Sequence, residues 1–162
     1  PVMDRAWIFQ ERILSPRAVY FSERELIWDC QTSLRCQCRD PHQHPLSKYT
    51  TAAAEEARAL CRAGFRRTAD SSHSSKVWWT CITEYTKLKM SDPDDRLRAI
   101  QGIASHMQAE WKKGKYLAGL WEDTLAQDLC WFSSCWESLR PRPKNRRAPT
   151  WSWASTDSPV MW

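Results

Sequence analysis

The sequence predicts an α+β chain, mainly helical, with an N-terminal helix followed by a β-hairpin and a short Trp-rich C-terminal strand. Three observations carry this expectation. Apolar residues recur at helical spacing in 4–14, 76–90 and the stretch after Pro93. Two aromatic-rich runs, Ala18–Phe21 and Leu26–Trp28, flank the polar Ser22-Glu23-Arg24-Glu25, which is a hairpin pattern. The tail Trp151-Ser152-Trp153-Ala154 switches to period two.

In the first helix, Asp4 can accept a bond from a first-turn amide, and Pro16 disfavours helix at Ser15, so the helix should end near Leu14. At about 100° per residue, Ala6, Trp7, Phe9, Ile13 and Leu14 fall on one arc. Gln10 is centred on that arc, Glu11 lies at its edge beside Trp7, and Arg5 and Arg12 are opposite. A glutamine facing inward must pair its amide, since leaving it unpaired costs about 1–3 kcal/mol. Gln10 is therefore expected to bond a neighbouring backbone or side chain. The hairpin that follows is marginal alone and must lean on the helix or join a larger sheet.

Residues 31–50 read as irregular. They hold the one metal-like cluster, Cys36 and Cys38 followed by His42 and His44. These are ligands that zinc prefers, but C-x-C and H-x-H steps fit a tetrahedral site poorly, so the expectation is a solvated loop and no metal. Residues 51–63 read as a weakly docked surface helix closed by Gly64, and 66–75, with its serine-rich tract, as a mobile loop.

Trp78, Cys81, Ile82, Tyr85 and Leu88 form the stripe of the next helix. Asp92-Pro93-Asp94-Asp95 is a helix start: Asp92 caps, Pro93 takes the first position, and the acids meet the positive end of the dipole. The helix that follows carries Leu97, Ile100, Ile103, Ala104 and Met107, and Gly102 within it marks a close approach by a neighbour. His106 is expected near its C-terminal end. Residues 116–132 read as one or two further helices, and Pro141, Pro143 and five basic residues as an extended linker. In the tail, Trp151 and Trp153 should share one face and close over the core.

With 42% hydrophobic and 27% charged residues, the 162-residue chain has the composition of a soluble globular protein that can bury a substantial core. Eleven tryptophans call for an aromatic core with indole N–H groups set against acceptors. Residues 1–40 and 76–133 are each neutral; the net +5 is +2 in 41–75 and +3 in 134–162. Charge confined to loop-like stretches argues against nucleic acid as a partner. No apolar run spans a bilayer, and seven cysteines in a chain of this size point to reduced thiols in the cytoplasm. The four glycines are too scattered to cradle a phosphate, no nucleophile stands in a catalytic motif, and no cofactor is expected.

The stretch RAWIFQERILSPRAVYFSERELIWDC resembles the last conserved block of the fungal heterokaryon-incompatibility (HET) domain, which runs R-A-W-x-x-Q-E, L-S-x-R and W-x-C. Arg5, Ala6, Trp7, Gln10, Glu11, Leu14, Ser15, Arg17, Trp28 and Cys30 match it. Three later segments resemble the region that follows this domain in fungal proteins: Asp95-Arg96-Leu97 with Ala99, Gly102 and Ala104; Tyr116 to Trp121 (YLAGLW); and Ala148 to Ser155 (APTWSWAS). The resemblance covers residues 4–30 and 76–162. It implies three regions: 1–40, the terminal HET block; 41–75, a variable loop and weak surface helix; and 76–162, a helical C-terminal region. The family's earlier blocks, S-Y-x-W-G and W-I-D-x-x-C-I-N-Q, do not occur in this sequence, so it resembles the distal part of such a protein.

The resemblance implies a cytoplasmic protein of non-self recognition that triggers regulated cell death through protein partners. It marks Arg5, Trp7, Gln10, Glu11, Trp28, Trp151 and Trp153 as motif residues. An alternative comes from the likeness of HET domains to Toll/interleukin-receptor domains, some of which cleave NAD. That chemistry needs a carboxylate near the sugar, and Glu11 is the one acid suited to it, with pairing to an arginine in the core as its ordinary role. A zinc or nucleic-acid module is the third reading.

Overall fold

The computed structural model describes residues 5–21, 25–30, 34–37, 71–134, 143 and 146–162. Helix α1 (Ala6–Leu14) is followed by strands β1 (Arg17–Phe21), β2 (Leu26–Cys30) and β3 (Leu34–Cys36). The long helix α2 (Ser71–Thr86) leads through two 3-10 turns, Pro93–Arg96 and Arg98–Ile100, into α3 (Gln101–Trp111). Strands β4 (Tyr116–Leu117) and β5 (Leu120–Trp121), a 3-10 turn, the short helix α4 (Leu125–Asp128), β6 (Phe132–Ser133), the 3-10 turn Trp153–Ser155 and β7 (Val160–Met161) complete it. The class is α+β, with an N-terminal helix and then a hairpin.

Helix α1 ends as Pro16 dictates, with the Ser15 N–H donating to the Glu11 carbonyl at 2.9 Å. Its start is held from outside: Ala6 N–H donates to the Lys89 carbonyl at 3.0 Å. Asp4 lies outside the described residues, and Arg5, at the N-cap position, makes no side-chain cap bond. Strands β1 and β2 pair antiparallel from Arg17↔Cys30 to Phe21↔Leu26, and β3 extends the sheet beyond β2. That third strand falls in a stretch the sequence marks as irregular.

The main core lies elsewhere. It joins Ala6 and Ile13 of α1, Val77, Trp78, Cys81, Ile82 and Tyr85 of α2, and Ile103, Ala104 and Met107 of α3, with Leu120, Trp121, Trp153 and Val160 from the distal segments. The helical stripes of α2 and α3 are thus buried where their spacing places them. Asp92 caps as expected, accepting from the Asp94 N–H at 3.0 Å, but the turn that it opens is 3-10.

Five expectations are corrected. Helix α2 begins at Ser71, so the tract read as the end of a mobile loop opens a helix whose Ser74 and Ser75 are buried. His106 sits in the middle of α3, which runs on to Trp111 and closes at Lys112 in the left-handed conformation. Residues 116–121 are a hairpin, since Ala118 and Gly119 both take positive φ, the signature of a tight two-residue turn. The Trp-rich tail is no strand: Trp153–Ser155 is a 3-10 turn, capped by Ser152 Oγ accepting from Ala154 N–H, and the C-terminal strand is Val160–Met161, paired with β6. Period two therefore fails there, and Trp151 is 43% exposed while Trp153 is fully buried. Finally, Cys81 is disulfide-bonded, against the expectation of reduced thiols. The expected helix at 51–63 lies outside the described residues.

Candidate functional site

Three polar nodes tie the chain together, and each draws on segments far apart in sequence. The first joins α1 to α3. The opening amides of a helix have no partner within it, and α3 has no side-chain cap of its own. Gln10 supplies one from another helix, its Oε1 accepting the Gly102 N–H at 2.6 Å. A Cβ at position 102 would stand 2.7 Å from that oxygen, so the glycine is what permits the approach. The expectation that Gln10 is gripped by a neighbour holds, and so does the close approach at Gly102.

The second node is the Ala118-Gly119 turn. The Gly119 carbonyl accepts two indole N–H groups, Trp78 Nε1 at 3.0 Å and Trp153 Nε1 at 2.9 Å, which uses both of its lone pairs. Ser152 Oγ donates to the Ala118 carbonyl at 2.6 Å. Ala118 at φ 46 costs about 1–2 kcal/mol. Those hydrogen bonds, and the edge-on packing of Trp78 against Trp121 (5.5 Å) and of Tyr85 against Trp153 (6.0 Å), offset that cost. Arg96 fastens the same corner. It is buried, lies over the Trp153 ring at 5.7 Å and donates to the Ser158 carbonyl, while its own carbonyl accepts the Tyr85 hydroxyl at 2.7 Å.

The third node is the fully buried carboxyl of Asp128. Oδ1 accepts from Trp79 Nε1 at 2.7 Å, Oδ2 from the Trp121 backbone N–H at 2.8 Å, and the Asp128 carbonyl from Trp162 Nε1 at 3.0 Å. Trp79 and Trp162 stack on each other, 6.1 Å apart and 12° from parallel. Burial pushes the Asp128 carboxyl above the usual carboxylate range, and the bonds from Trp121 and Trp79 and the charge of Lys113 pull it partly back. Lys113 is itself buried, 3.5 Å from Asp123 Oδ2 and 3.4 Å from Ser75 Oγ. Burial also holds the Tyr85 and Tyr116 phenols well above their ordinary value, so both stay protonated, and the Tyr85 hydroxyl donates to the Arg96 carbonyl.

The motif residues divide between these nodes and the surface. Gln10 and Trp153 are in the nodes. Arg5 is exposed and bridges to Lys89 through its backbone. Trp7, placed by spacing on the buried arc, is 37% exposed, and Leu14 at the far end is similar. The buried side of α1 is narrower than the arc, because only Ala6 and Ile13 are enclosed. Glu11 is exposed and makes no ion pair among the described residues, so the expected arginine partner is not found. Nor do Glu11 and Trp7 form the enclosed sugar and base walls that NAD cleavage requires. Trp28 lies on the outer face of the hairpin, and Trp151, exposed, contributes only its carbonyl, to Trp131 Nε1 at 2.8 Å.

Cys38, His42, His44 and the side chain of Cys36 lie outside the described residues, among which no group of three or more His, Cys, Asp or Glu is placed to hold a metal ion. No helix among them is long and apolar enough to cross a membrane. Sequence reasoning missed Asp128 and Gly119. Ala-Gly is not among the dipeptides that favour a two-residue hairpin turn, so only Gly119 hinted at a break there, and nothing local distinguishes Asp128 from a surface acid. No protein-family model, curated protein or solved structure matches the chain.

Proposed function

We propose that the chain is the distal part of a fungal heterokaryon-incompatibility protein, which signals non-self recognition and regulated cell death by protein association. One observation supports this reading most: the four sequence blocks that carry the resemblance meet in space in pairs. Gln10 of the first block caps α3 at Gly102 of the second. Trp153 and Ser152 of the APTWSWAS block bond the turn of the YLAGLW block. Arg96 of the second block also packs on Trp153. Residues that recur together in a pattern and also hold one another in place belong to one structural unit, which chance similarity does not require. Most polar groups of the three nodes are turned inward and bonded within the chain, as suits a body that works through its surface.

The test is inducible expression in a filamentous fungus of this chain extended by its upstream coding sequence, in strains that differ at incompatibility loci. Growth arrest or death in at least one genetic background is the expected result, and its absence in every background removes the proposal. A Gly119→Val variant, in which the Trp153 site is blocked, should be silent throughout.

A further inference from the structure

The outer face of the β1–β2 hairpin leaves four apolar side chains open to solvent. Phe21 is 82% exposed, Val19 46%, Trp28 40% and Leu26 39%. The register sets Val19 beside Trp28 and Phe21 beside Leu26, so they form one block two residues long and two strands wide. The opposite face, with Ala18, Tyr20, Ile27 and Asp29, is covered; Ile27 and Asp29 are buried and Tyr20 lies under Arg12 at 5.7 Å. Strand β1 is also the end of the sheet among the described residues. Edge strands are ordinarily guarded by charge, proline or a bulge, and here the most exposed of the large apolar side chains is a phenylalanine.

Among the described residues, charge frames the block on one sign only. Arg17 precedes Val19 on the same face, and Arg35 of β3 stands opposite Trp28; both are exposed. The other outward residues described are Cys30 and Gln37, so among the described residues this face carries two cations and no carboxylate. We propose that it docks a segment of another protein whose apolar stripe is edged by aspartate or glutamate. Trp28 and Phe21 supply the apolar anchor, since tryptophan and arginine dominate the energetics of such contacts, and the two arginines set the sign of the partner. A second copy of this chain would bring Arg17 and Arg35 against like charges. An anionic membrane calls for a cluster of basic residues, where the described residues of this face supply two.

The inference rests on the association role proposed above and adds to it the surface and the chemistry of the partner. A random peptide library displayed on phage, panned against the whole chain, tests it. Recovered peptides should be rich in Asp and Glu around apolar positions. Their affinity, read by fluorescence anisotropy of labelled synthetic copies, should fall at least tenfold for Phe21→Ser/Trp28→Ser and for Arg17→Glu/Arg35→Glu. It should also weaken as salt is raised. Both variants alter exposed side chains, and an unchanged denaturation midpoint verifies that they fold. Failure to enrich any peptide, enrichment of basic peptides, or equal binding by both variants would overturn the proposal. So would a dimer in sedimentation that Phe21→Ser dissolves, or binding to phosphatidylserine vesicles that the same variant abolishes. Peptide capture without growth arrest in the fungus would remove the signalling role and leave the surface standing; growth arrest without peptide capture would do the reverse.

Discussion

The hairpin sheet and the Trp-rich distal body are built on opposite principles. Among the described side chains of β1–β3 only Ile27 and Asp29 are buried, and neither belongs to the main core. The sheet is held by its own ladder and touches α1 through the Arg12 and Tyr20 pair. In the distal body, by contrast, five aromatic rings and three buried charged groups are fixed by bonds that span tens of residues. The block with the most matched motif positions is therefore the less enclosed of the two. Pattern and burial are separate properties: a body that must not change shape needs internal bonds, whereas a surface that meets a partner needs exposed side chains.

Substitutions can break or sharpen this contrast, and the largest effect is expected at the Ala118-Gly119 turn. Gly119→Ala puts a Cβ 2.5 Å from Trp153 Nε1 at φ +99, so overpacking and backbone strain add. A loss of ~3 kcal/mol or more should appear in chemical denaturation. Phe21→Ser, at the open face of the sheet, should change stability by no more than ~0.5 kcal/mol. If the two losses were similar, the contrast would be wrong.

Asp128→Asn comes next. Asparagine offers one acceptor oxygen where the carboxyl meets donors at both, so one buried donor is left unpaired, at about 1–3 kcal/mol. The same variant reports on pH. The folded-state pKa of Asp128 lies above its unfolded value, so the folded protein binds the proton more tightly. The contribution of this group is fully present below the unfolded value, near 3.9, and is lost as pH rises through the folded one. The stability difference between wild type and Asp128→Asn should accordingly widen as pH falls through that window. A difference flat in pH would show that the carboxyl titrates alike in both states.

The α1–α3 cap allows a test by sign. In the wild-type background Gly102→Ala meets the Gln10 amide and should destabilise, though the far end of a flexible side chain can move. With Gln10→Ala already in place, itself costing ~1 kcal/mol, the same change should be neutral or stabilising by up to ~1 kcal/mol through helix propensity. A thermal-denaturation double-mutant cycle reads this directly. The smallest effect should be at Glu11→Gln, within ~0.5 kcal/mol, because the carboxylate is exposed.

What the sequence made legible follows the range of the forces involved. Helices α1, α2 and α3 and the β1–β2 hairpin were readable because period and turn chemistry are local. The inward amide of Gln10 and the glycine that admits it were both foreseen, yet nothing paired one with the other, since 92 positions separate them. Residues 116–121 were misread as helix because an apolar run this short fits either period, and the positive φ at Ala118 is imposed by packing rather than by residue preference. Trp151 and Trp153 look alike in sequence and differ only in which meets the Gly119 carbonyl. Asp128 was invisible because burial is decided by what arrives from elsewhere in the chain.

The carbonyl at Gly119 also bears on the order of folding. Its two donors come from positions 41 residues before it and 34 after. Closing loops of that length costs entropy before any contact repays it, so this corner is completed late, after α2 and α3 have formed locally. Changes there should quicken unfolding and leave the refolding rate nearly untouched, which makes this corner the lock that sets how long the native protein lasts.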